Sequence, residues 1–170
     1  PDCYKGEPFS NSLNAGARLV AVDPRLTRIA ARADIWLALR PGTDTALALG
    51  MLNVIIGEKL YDAEFVKEYV YGWEQFVERV QEYPLEKVEN ITWVPRTKIE
   101  QAARLFATTR PAAIQWGNPI EQTMYNFDAA RALVCLMAIC GNLDIAGGNI
   151  KAAEPKTTPF GKFVRADRVP

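Results

Sequence analysis

An acidic residue lies directly after a glycine-containing turn, at the predicted beginning of a helix. The run Arg40-Pro41-Gly42-Thr43-Asp44 joins an apolar strand to that helix. Unpaired N–H groups at a helix N-terminus favour an acceptor-rich ligand, and Gly42 permits its close approach to the backbone. The Asp44 carboxylate could accept two hydrogen bonds from the N1 and N2 donors of a guanine base. The alternative is that Asp44 only stabilises the first helical turn, by about 0.3–1 kcal/mol.

A second acidic residue, Asp23, follows the first predicted strand. Doubly wound folds place an acidic residue at this position, where it binds ribose hydroxyls. Two residues later, Arg25 could stack its planar guanidinium group on a base. An Asp-Pro turn followed by a surface arginine would explain the same residues without a ligand. The pattern GxGxxG is absent from the chain, which argues against an ordinary NAD domain.

Two glycine-containing segments in the C-terminal third add further polar groups. Gly117 follows the third predicted strand, so Asn118 and Gln122 could meet the phosphates or the ring edge of a cofactor. Gly148-Asn149 lies in a predicted flexible loop, where glycine leaves the backbone open to a ligand. Each segment also has an explanation without a ligand: a turn that ends a strand, and a loop that follows a helix.

The cysteines do not form a recognisable metal site. Cys3, Cys135 and Cys140 show no CxxC spacing, and the chain contains no histidine, so the usual zinc sites cannot be built. An iron–sulfur cluster is likewise excluded within this stretch. Cys135 and Cys140 lie in an apolar helical run, where free cysteines commonly pack in the core. A redox or ligand role is the alternative.

The charge balance argues against nucleic-acid and membrane partners. Lysine plus arginine number 20, as do aspartate plus glutamate, so the net charge is zero. Such a chain has no net field that attracts an anionic polymer or lipid surface. The longest apolar stretch, residues 46–56, is interrupted by Gly50 and Asn53. It is shorter than the roughly 20 residues that cross a bilayer, so we expect no membrane insertion.

Three short apolar segments predict the strands that position these loops. They cover residues 17–22, 35–39 and 112–116, and each ends at a turn containing proline or glycine. Helical segments separate them, which indicates an α/β fold with a layered, Rossmann-like parallel sheet. Such sheets bind ligands at the carboxyl ends of their strands. The sequence therefore predicts that the three loops form one crevice for a nucleotide-like ligand.

Helical periodicity accounts for the intervals between the strands. Thr43 is the predicted N-cap of a helix that runs to about Gly57. Residues 62–88 predict a helical insert between the second and third strands, and further helices are predicted at 97–106 and 127–140. We expect the domain to occupy residues 1–150, whose opening is rich in glycine, proline, serine and asparagine, with residues 151–170 forming a loop or linker.

Together these segments resemble the molybdopterin oxidoreductases related to dimethyl sulfoxide reductase. The resemblance rests on residues 22–27 (VDPRLT), on residues 40–47 (RPGTDTAL) and on Gly141-Asn142-Leu143 ahead of the glycine pair 147–148, in that order. It covers the chain from about residue 15 to residue 150. Residues 116–122 are most similar to the branch containing acetylene hydratase and the thiosulfate or polysulfide reductase-like enzymes.

Members of this family hold molybdenum or tungsten between two molybdopterin guanine dinucleotides, and this chain resembles the α/β domain that binds one of them. The resemblance implies that the guanosine is surrounded by Val22, Asp23, Arg25, Pro41, Gly42 and Asp44. It also implies that Gly117, Asn118 and Gln122 lie nearer the pterin. Gly148 and Asn149 would begin a loop bordering the metal cavity. Asp44 is the expected contact for guanine, and Asp23 the expected contact for ribose.

The same resemblance implies that the chain is an inactive fragment when separated from its parent. The family's iron–sulfur segment and the protein ligand to the metal lie upstream, and a downstream domain holds the second dinucleotide. The expected partners are the other domains of the same polypeptide and an iron–sulfur electron-transfer subunit. The compartment, cytoplasm or periplasm of a prokaryote, stays open. The alternative is a non-catalytic guanine-nucleotide-binding or interaction module with the same fold.

Overall fold

The computed structural model describes residues 3–122 and 124–150. In chain order, its elements are α1 (Cys3–Asn14), β1 (Val20–Val22), a 3-10 helix (Ala30–Arg32), β2 (Ile35–Leu37), α2 (Asp44–Gly57), α3 (Ala63–Tyr69), α4 (Trp73–Gln81), α5 (Leu85–Thr92), α6 (Arg96–Thr108), α7 (Asn118–Glu121) and α8 (Asn126–Ile139). Helices predominate, and the sheet found in these residues has two strands. The fold is therefore mainly helical with a small sheet.

The two strands are short, apolar and parallel. Their register places Val20 opposite Ile35 and Val22 opposite Leu37. Valine and isoleucine suit this pleated, partly covered surface because their branched side chains pack well on it. The first two predicted strands are confirmed, although both are shorter than expected. The 3-10 helix connects them, so the predicted order of strand, helix and strand is also present.

Helix α2 forms the centre of the core. Its buried residues are Ala46, Leu47, Ala48, Leu49, Gly50, Met51, Leu52, Val54 and Ile55. The helix contacts α4, α5, α6 and α8, and a helix covered on many sides must be apolar nearly all round. Gly50 allows α5 to approach, because a Cβ there would lie 2.8 Å from Val88 Cγ1. The helix predicted from Thr43 to about Gly57 is confirmed.

The helical insert predicted after the second strand is present as α3, α4 and α5. Asp62 caps α3, since its carboxylate accepts a hydrogen bond from the Phe65 N–H at 3.0 Å. Gly72, with φ +75°, precedes α4, and Pro84 precedes α5. Helices α6 and α8 confirm the two later helical predictions. The amphipathic helices are thus the part of the fold that local patterns predict well.

The third strand, predicted at residues 112–116, is wrong for the structure described. The segment has no regular secondary structure and is hydrogen-bonded to neither β1 nor β2. Its backbone is held by the side chains of Asn142 and Asn149, which follow their partners by 30 and 35 residues. The layered, Rossmann-like arrangement is therefore not confirmed within the described residues.

Two helices lie where the sequence analysis predicts none, and one prediction is not covered. Helix α1 forms in the opening rich in glycine, proline, serine and asparagine, although Gly6 and Pro8 both disfavour a helix interior, and the described contacts do not explain it. A four-residue helix, α7, begins at Asn118, directly after Gly117; Pro119 suits its first turn. The linker predicted at 151–170 lies outside the described residues.

Candidate functional site

Two loops leave the same edge of the sheet, and we call them the sheet-end loops (residues 22–25 and 40–44). Because β1 and β2 are parallel neighbours, both strands end at the same edge of the sheet, its carboxyl edge. The Asp23 N–H continues the ladder to the Leu37 carbonyl at 3.3 Å. The Trp36 Nε1–H donates to the Asp23 carbonyl at 2.8 Å and fixes the first loop against β2.

The first loop presents one carboxylate, one guanidinium and one exposed apolar side chain. Asp23 Oδ1 accepts a hydrogen bond from the Arg25 N–H at 2.8 Å, and Arg25 Nε lies 4.0 Å from the same oxygen. The second oxygen, Oδ2, has no partner among the described residues. The Arg25 side chain is 84% exposed, and Val22 is 46% exposed. Asp23 therefore closes the turn and still offers an acceptor.

The second loop approaches α2 without obstructing its N-terminus. Gly42 has φ +80°, and a Cβ built on it meets no atom within 4 Å. Thr43 is the N-cap residue as predicted, but its Oγ1–H donates to the Arg40 carbonyl at 2.6 Å and does not cap α2. The first-turn N–H groups of α2 thus lack a side-chain acceptor from Thr43. Such an N-terminus is suited to an anionic or acceptor-rich group.

Asp44 lies half-buried in the first turn of α2. Burial raises the pKa of its carboxyl above the ordinary value, and a hydrogen bond from its own N–H opposes that shift. No other described residue bonds to this side chain. A partly desolvated carboxylate without a partner is costly, so a ligand with two N–H donors would relieve the cost.

A tryptophan that the sequence analysis missed lies beside Arg40 of the second loop. The Arg40 N–H donates to the Thr92 carbonyl at 2.8 Å, and the Arg40 guanidinium lies 5.2 Å from the ring centroid of Trp93. Trp93 is 67% exposed and adopts φ +64° at the end of α5. Glycine is the usual residue in that conformation, so no sequence pattern indicates that Trp93 lies here.

A different arrangement holds residues 112–116, which we call the asparagine-held segment. Asn149 Oδ1 accepts a hydrogen bond from the Ile114 N–H at 2.8 Å, and its Nδ2–H donates to the Ile114 carbonyl, also at 2.8 Å. Asn142 Oδ1 accepts from the Ala112 N–H at 3.0 Å. Asn142 is completely buried, and its Nδ2 has no partner in the described part of the chain. Both amides thus support the backbone.

The other predicted residues of this region fall into two groups. Gly117, Asn118 and Gln122 are exposed around α7, and a Cβ on Gly117 would meet nothing within 4 Å. Gly148 is crowded, because a Cβ there would lie 2.4 Å from the Asn142 carbonyl oxygen. Gly148 therefore has a packing reason to be glycine. No hydrogen bond or ion pair joins these residues to the sheet-end loops in the described structure.

Arg110 anchors the asparagine-held segment to the helices. Its Nε and Nη2 donate to the Cys140 carbonyl at 2.9 and 2.6 Å, and Nη2 also donates to Asp62 Oδ2 at 2.8 Å. The Phe65 N–H, and then the Arg110 guanidinium, hold the pKa of Asp62 below its ordinary value. The end of α8 and the beginning of α3 are thereby joined through one guanidinium.

The cysteines of α8 and its end are core residues, as the sequence predicted. Cys140 is completely buried, and burial raises the pKa of its thiol to about 12. Cys135 is half-buried, and burial likewise raises its thiol pKa. Within residues 3–122 and 124–150, no three side chains of His, Cys, Asp or Glu converge on a possible metal position. The helices in those ranges are also too short or too polar to cross a membrane.

The chain matches known proteins over most of its length. A family model described as molybdopterin oxidoreductase matches residues 8–164. Acetylene hydratase of Syntrophotalea acetylenica is 43% identical over 159 residues, covering 94% of this chain and 22% of that protein. The thiosulfate reductase molybdopterin-containing subunit of Salmonella typhimurium is 37% identical over 134 residues, covering 78% of this chain and 18% of that subunit.

A solved structure shares the fold. Acetylene hydratase from Pelobacter acetylenicus aligns with a TM-score of 0.79 and 47% sequence identity, over 81% of this chain and 19% of that chain. Formate dehydrogenase H of Escherichia coli (strain K12) is 39% identical over 133 residues, covering 78% of this chain and 19% of that enzyme. The chain spans about a fifth of the length of the curated relatives it matches.

Proposed function

Because the chain belongs to the molybdopterin oxidoreductase family, as its motifs predicted, we propose that it holds the guanosine end of one molybdopterin guanine dinucleotide. The parent protein would be a molybdenum or tungsten oxidoreductase. When bound, the metal and pterin supply the reactive chemistry, and the residues of this chain bind and orient the group. The chain alone would be inactive, since four fifths of the length of its relatives lies outside it.

The observation that supports this proposal best is Asp44. Its carboxylate is half-buried, has a raised pKa and lacks a partner among the described side chains. Guanine presents two adjacent N–H donors, at N1 and N2, which match the two oxygens of one carboxylate. Adenine presents an acceptor at N1, so an ionised Asp44 would select guanine. Pro41 and Gly42 would lie against the base, since Gly42 leaves open space beside the backbone.

The first sheet-end loop would hold the ribose. The Asp23 oxygen that does not bind the Arg25 N–H can accept a hydrogen bond from a ribose hydroxyl. Val22 provides an exposed apolar contact for the sugar. The exposed Arg25 guanidinium can stack on the base or pair with a phosphate. These three contacts suit a nucleotide better than a free base.

The pterin end would extend toward Gly117, Asn118 and Gln122, with Gly148-Asn149 bordering the metal cavity. No hydrogen bond or ion pair joins these residues to the sheet-end loops in the described structure, so we assign them to the other end of the dinucleotide. The side-chain amide of Asn149 already binds the backbone of Ile114. We therefore propose that Asn149 positions the loop and that its amide does not bind the cofactor. The exposed amides of Asn118 and Gln122 remain available.

In the parent, the two-stranded sheet would be part of a layered parallel sheet, and residues 1–150 would form one cofactor-binding domain. Parallel sheets are normally covered on both faces and have more than two strands. The expected partners are the other domains of the polypeptide and an iron–sulfur electron-transfer subunit, with an iron–sulfur cluster bound upstream of this chain. We find no observation that favours a non-catalytic nucleotide-binding module.

The proposal is tested by titrating the apo form of the full-length parent with GDP and with IDP, whose hypoxanthine base lacks the N2 amino group. Asp44→Ala should weaken GDP binding by roughly 1–3 kcal/mol, the scale of a charged hydrogen bond. It should also remove the preference for GDP over IDP. Both losses would be measured by calorimetry.

Asp128→Ala is the matched control, because Asp128 is an exposed acid in the first turn of α8. It should leave both affinities unchanged. Equal binding of GDP and IDP by the unsubstituted parent, or an unchanged GDP affinity in Asp44→Ala, would contradict the proposed contact.

A further inference from the structure

Trp93 occupies a backbone position that usually contains glycine. It follows α5 with φ +64° and ψ +8°, and its N–H donates to the Glu89 carbonyl at 2.8 Å. A side chain in this left-handed conformation is strained, and glycine avoids the strain. The indole gains little burial in return, since it is 67% exposed and lies outside the core cluster. Folding therefore does not explain a tryptophan here, and a strained residue of this kind is a reason to look for a function.

The backbone on both sides of Trp93 is anchored in the core, so the position of the turn is fixed. Thr92 and Val94 are both buried. The Thr92 Oγ1–H donates to the Val88 carbonyl at 2.8 Å, and the Val94 N–H donates to Thr92 Oγ1 at 3.2 Å. Because its two neighbours are held inward, the indole of Trp93 is held at the surface, where a ligand can reach it.

Arg40 connects this turn to the second sheet-end loop. Its N–H donates to the Thr92 carbonyl at 2.8 Å. Its carbonyl accepts from the Thr43 N–H at 3.3 Å and from the Thr43 Oγ1–H at 2.6 Å. A turn closed in this way keeps the Cα atoms of its first and fourth residues within about 7 Å of each other. Asp44 follows directly, so the turn that contains Trp93 adjoins the loop that contains Asp44.

The Arg40 side chain orients the indole. Its guanidinium carbon lies over the ring of Trp93, 5.2 Å from the centroid, where a cation is attracted to the electron-rich face. No other cation or aromatic ring lies against this indole within residues 3–122 and 124–150. Trp93 therefore combines a fixed backbone, one supporting contact and a large exposed aromatic surface.

We propose that Trp93 is a further residue of the guanosine site and that its indole stacks on the guanine ring, while Asp44 binds the edge of the base. The inference rests on the proposed function and deepens it. A carboxylate binds only the N–H donors at the edge of the base, so the flat faces need other partners. Every nucleobase has a π-face that an aromatic side chain can cover. Trp93 offers such a surface next to the loop that contains Asp44.

Stacking and edge recognition have separable effects on binding. GDP and IDP have the same fused ring system and differ in the N2 amino group, which Asp44 would bind. Trp93 would therefore contribute equally to the affinity for both nucleotides. Asp44 would also determine the difference between them. The ratio of the two affinities thus distinguishes a stacking residue from a residue that binds the edge.

The test is calorimetric titration of the apo full-length parent and its Trp93→Gly variant with GDP and with IDP. Trp93→Gly should weaken the binding of both nucleotides by roughly fivefold or more, the scale of one lost base–aromatic stack, and should leave their ratio unchanged. Its thermal midpoint should not fall, because glycine favours the left-handed turn. Trp93→Phe should lose less affinity, since phenylalanine retains an aromatic face.

Tyr71→Ala is the matched control, because Tyr71 is an exposed aromatic residue between α3 and α4. It should leave both affinities unchanged. Unchanged affinities in Trp93→Gly would overturn the inference, and a lower thermal midpoint in that variant would show that the indole packs on another domain of the parent instead. A loss confined to GDP would also overturn stacking.

Failure of the proposed function gives a different result. If the unsubstituted parent binds GDP and IDP equally and Trp93→Gly weakens both, the Asp44 contact is wrong and the stacking contact stands. If the unsubstituted parent prefers GDP and Trp93→Gly changes neither affinity, the Asp44 contact stands and the stacking contact is wrong. Absence of nucleotide binding by the unsubstituted parent would overturn both.

Discussion

Polar side chains are used in opposite ways around the sheet-end loops and around the asparagine-held segment. In the sheet-end loops, the Asp44 carboxylate has no hydrogen bond except from its own N–H, and one oxygen of Asp23 has no partner among the described residues. Beside the asparagine-held segment, Asn149 uses both of its amide atoms on Ile114. Polar residues near a strand end therefore indicate a ligand site only when the surrounding backbone has not already engaged them.

Gly42, in the second sheet-end loop, and Gly148, next to Asn149, show the same contrast. Gly42 has a positive φ and open space beside it, while Gly148 lies against the carbonyl of Asn142. The first glycine is required by the backbone conformation and leaves room for a ligand. The second is required because packing excludes a side chain. Substitution of each by alanine separates these two reasons.

The largest expected effect is that of Gly148→Ala. A Cβ at 2.4 Å from a backbone oxygen and 2.9 Å from Ile145 Cγ1 must displace the loop, so we expect a loss of roughly 2–3 kcal/mol in the free energy of unfolding. Gly42→Ala should lose only about 1 kcal/mol, from left-handed strain alone. Urea unfolding of both variants measures the difference. Equal losses would remove the distinction between the two glycines.

The second effect concerns the asparagine amides. Asn149→Ala removes two hydrogen bonds and leaves the N–H and C=O of Ile114 unpaired, which should lower the free energy of unfolding by roughly 1–3 kcal/mol. Asn118→Ala is the control, because Asn118 is exposed and should change stability by less than about 0.5 kcal/mol. A cost for Asn118→Ala that matched the cost for Asn149→Ala would show that the amide bonds are not what stabilises this region.

The sheet-end loops could be predicted because their signals are local. A run of apolar residues, the turn at Pro41-Gly42 and the cap position at Thr43 lie within a few residues of one another. Strand, turn and helix start therefore follow from propensity and periodicity. The raised pKa of Asp44 could not be predicted, since it depends on how the core buries the first turn of α2.

The hydrogen-bond partners of the asparagine-held segment could not be predicted, because they are distant from it in sequence. Asn149 is 35 residues from Ile114, and Asn142 is 30 residues from Ala112. An alternating apolar pattern shows that a segment is extended, but it does not show whether a strand or a side chain pairs with it. The position of Trp93 beside Arg40 was missed for a related reason, since it depends on a left-handed tryptophan at the end of α5.

The smallest expected effect is the pH dependence of Asp44, which tests whether its carboxylate is unsatisfied without a ligand. Burial raises its pKa above the ordinary value of 3.8, so the folded state holds this proton at a pH where the unfolded state has released it. The contribution of Asp44 to folding stability therefore falls as pH rises from 3.8 through the raised pKa. Asp44→Asn should match the unsubstituted chain at low pH and exceed its stability near pH 7 by roughly 0.5–1 kcal/mol.

Asp128→Asn is the control. It should lower the free energy of unfolding near pH 7 by about 0.3–1 kcal/mol, because an exposed acid in the first turn interacts favourably with the helix dipole. Urea unfolding between pH 3.8 and pH 7 measures both differences. A loss of stability in Asp44→Asn would mean that the Asp44 carboxylate stabilises the first turn of α2 and is not left unsatisfied for a ligand.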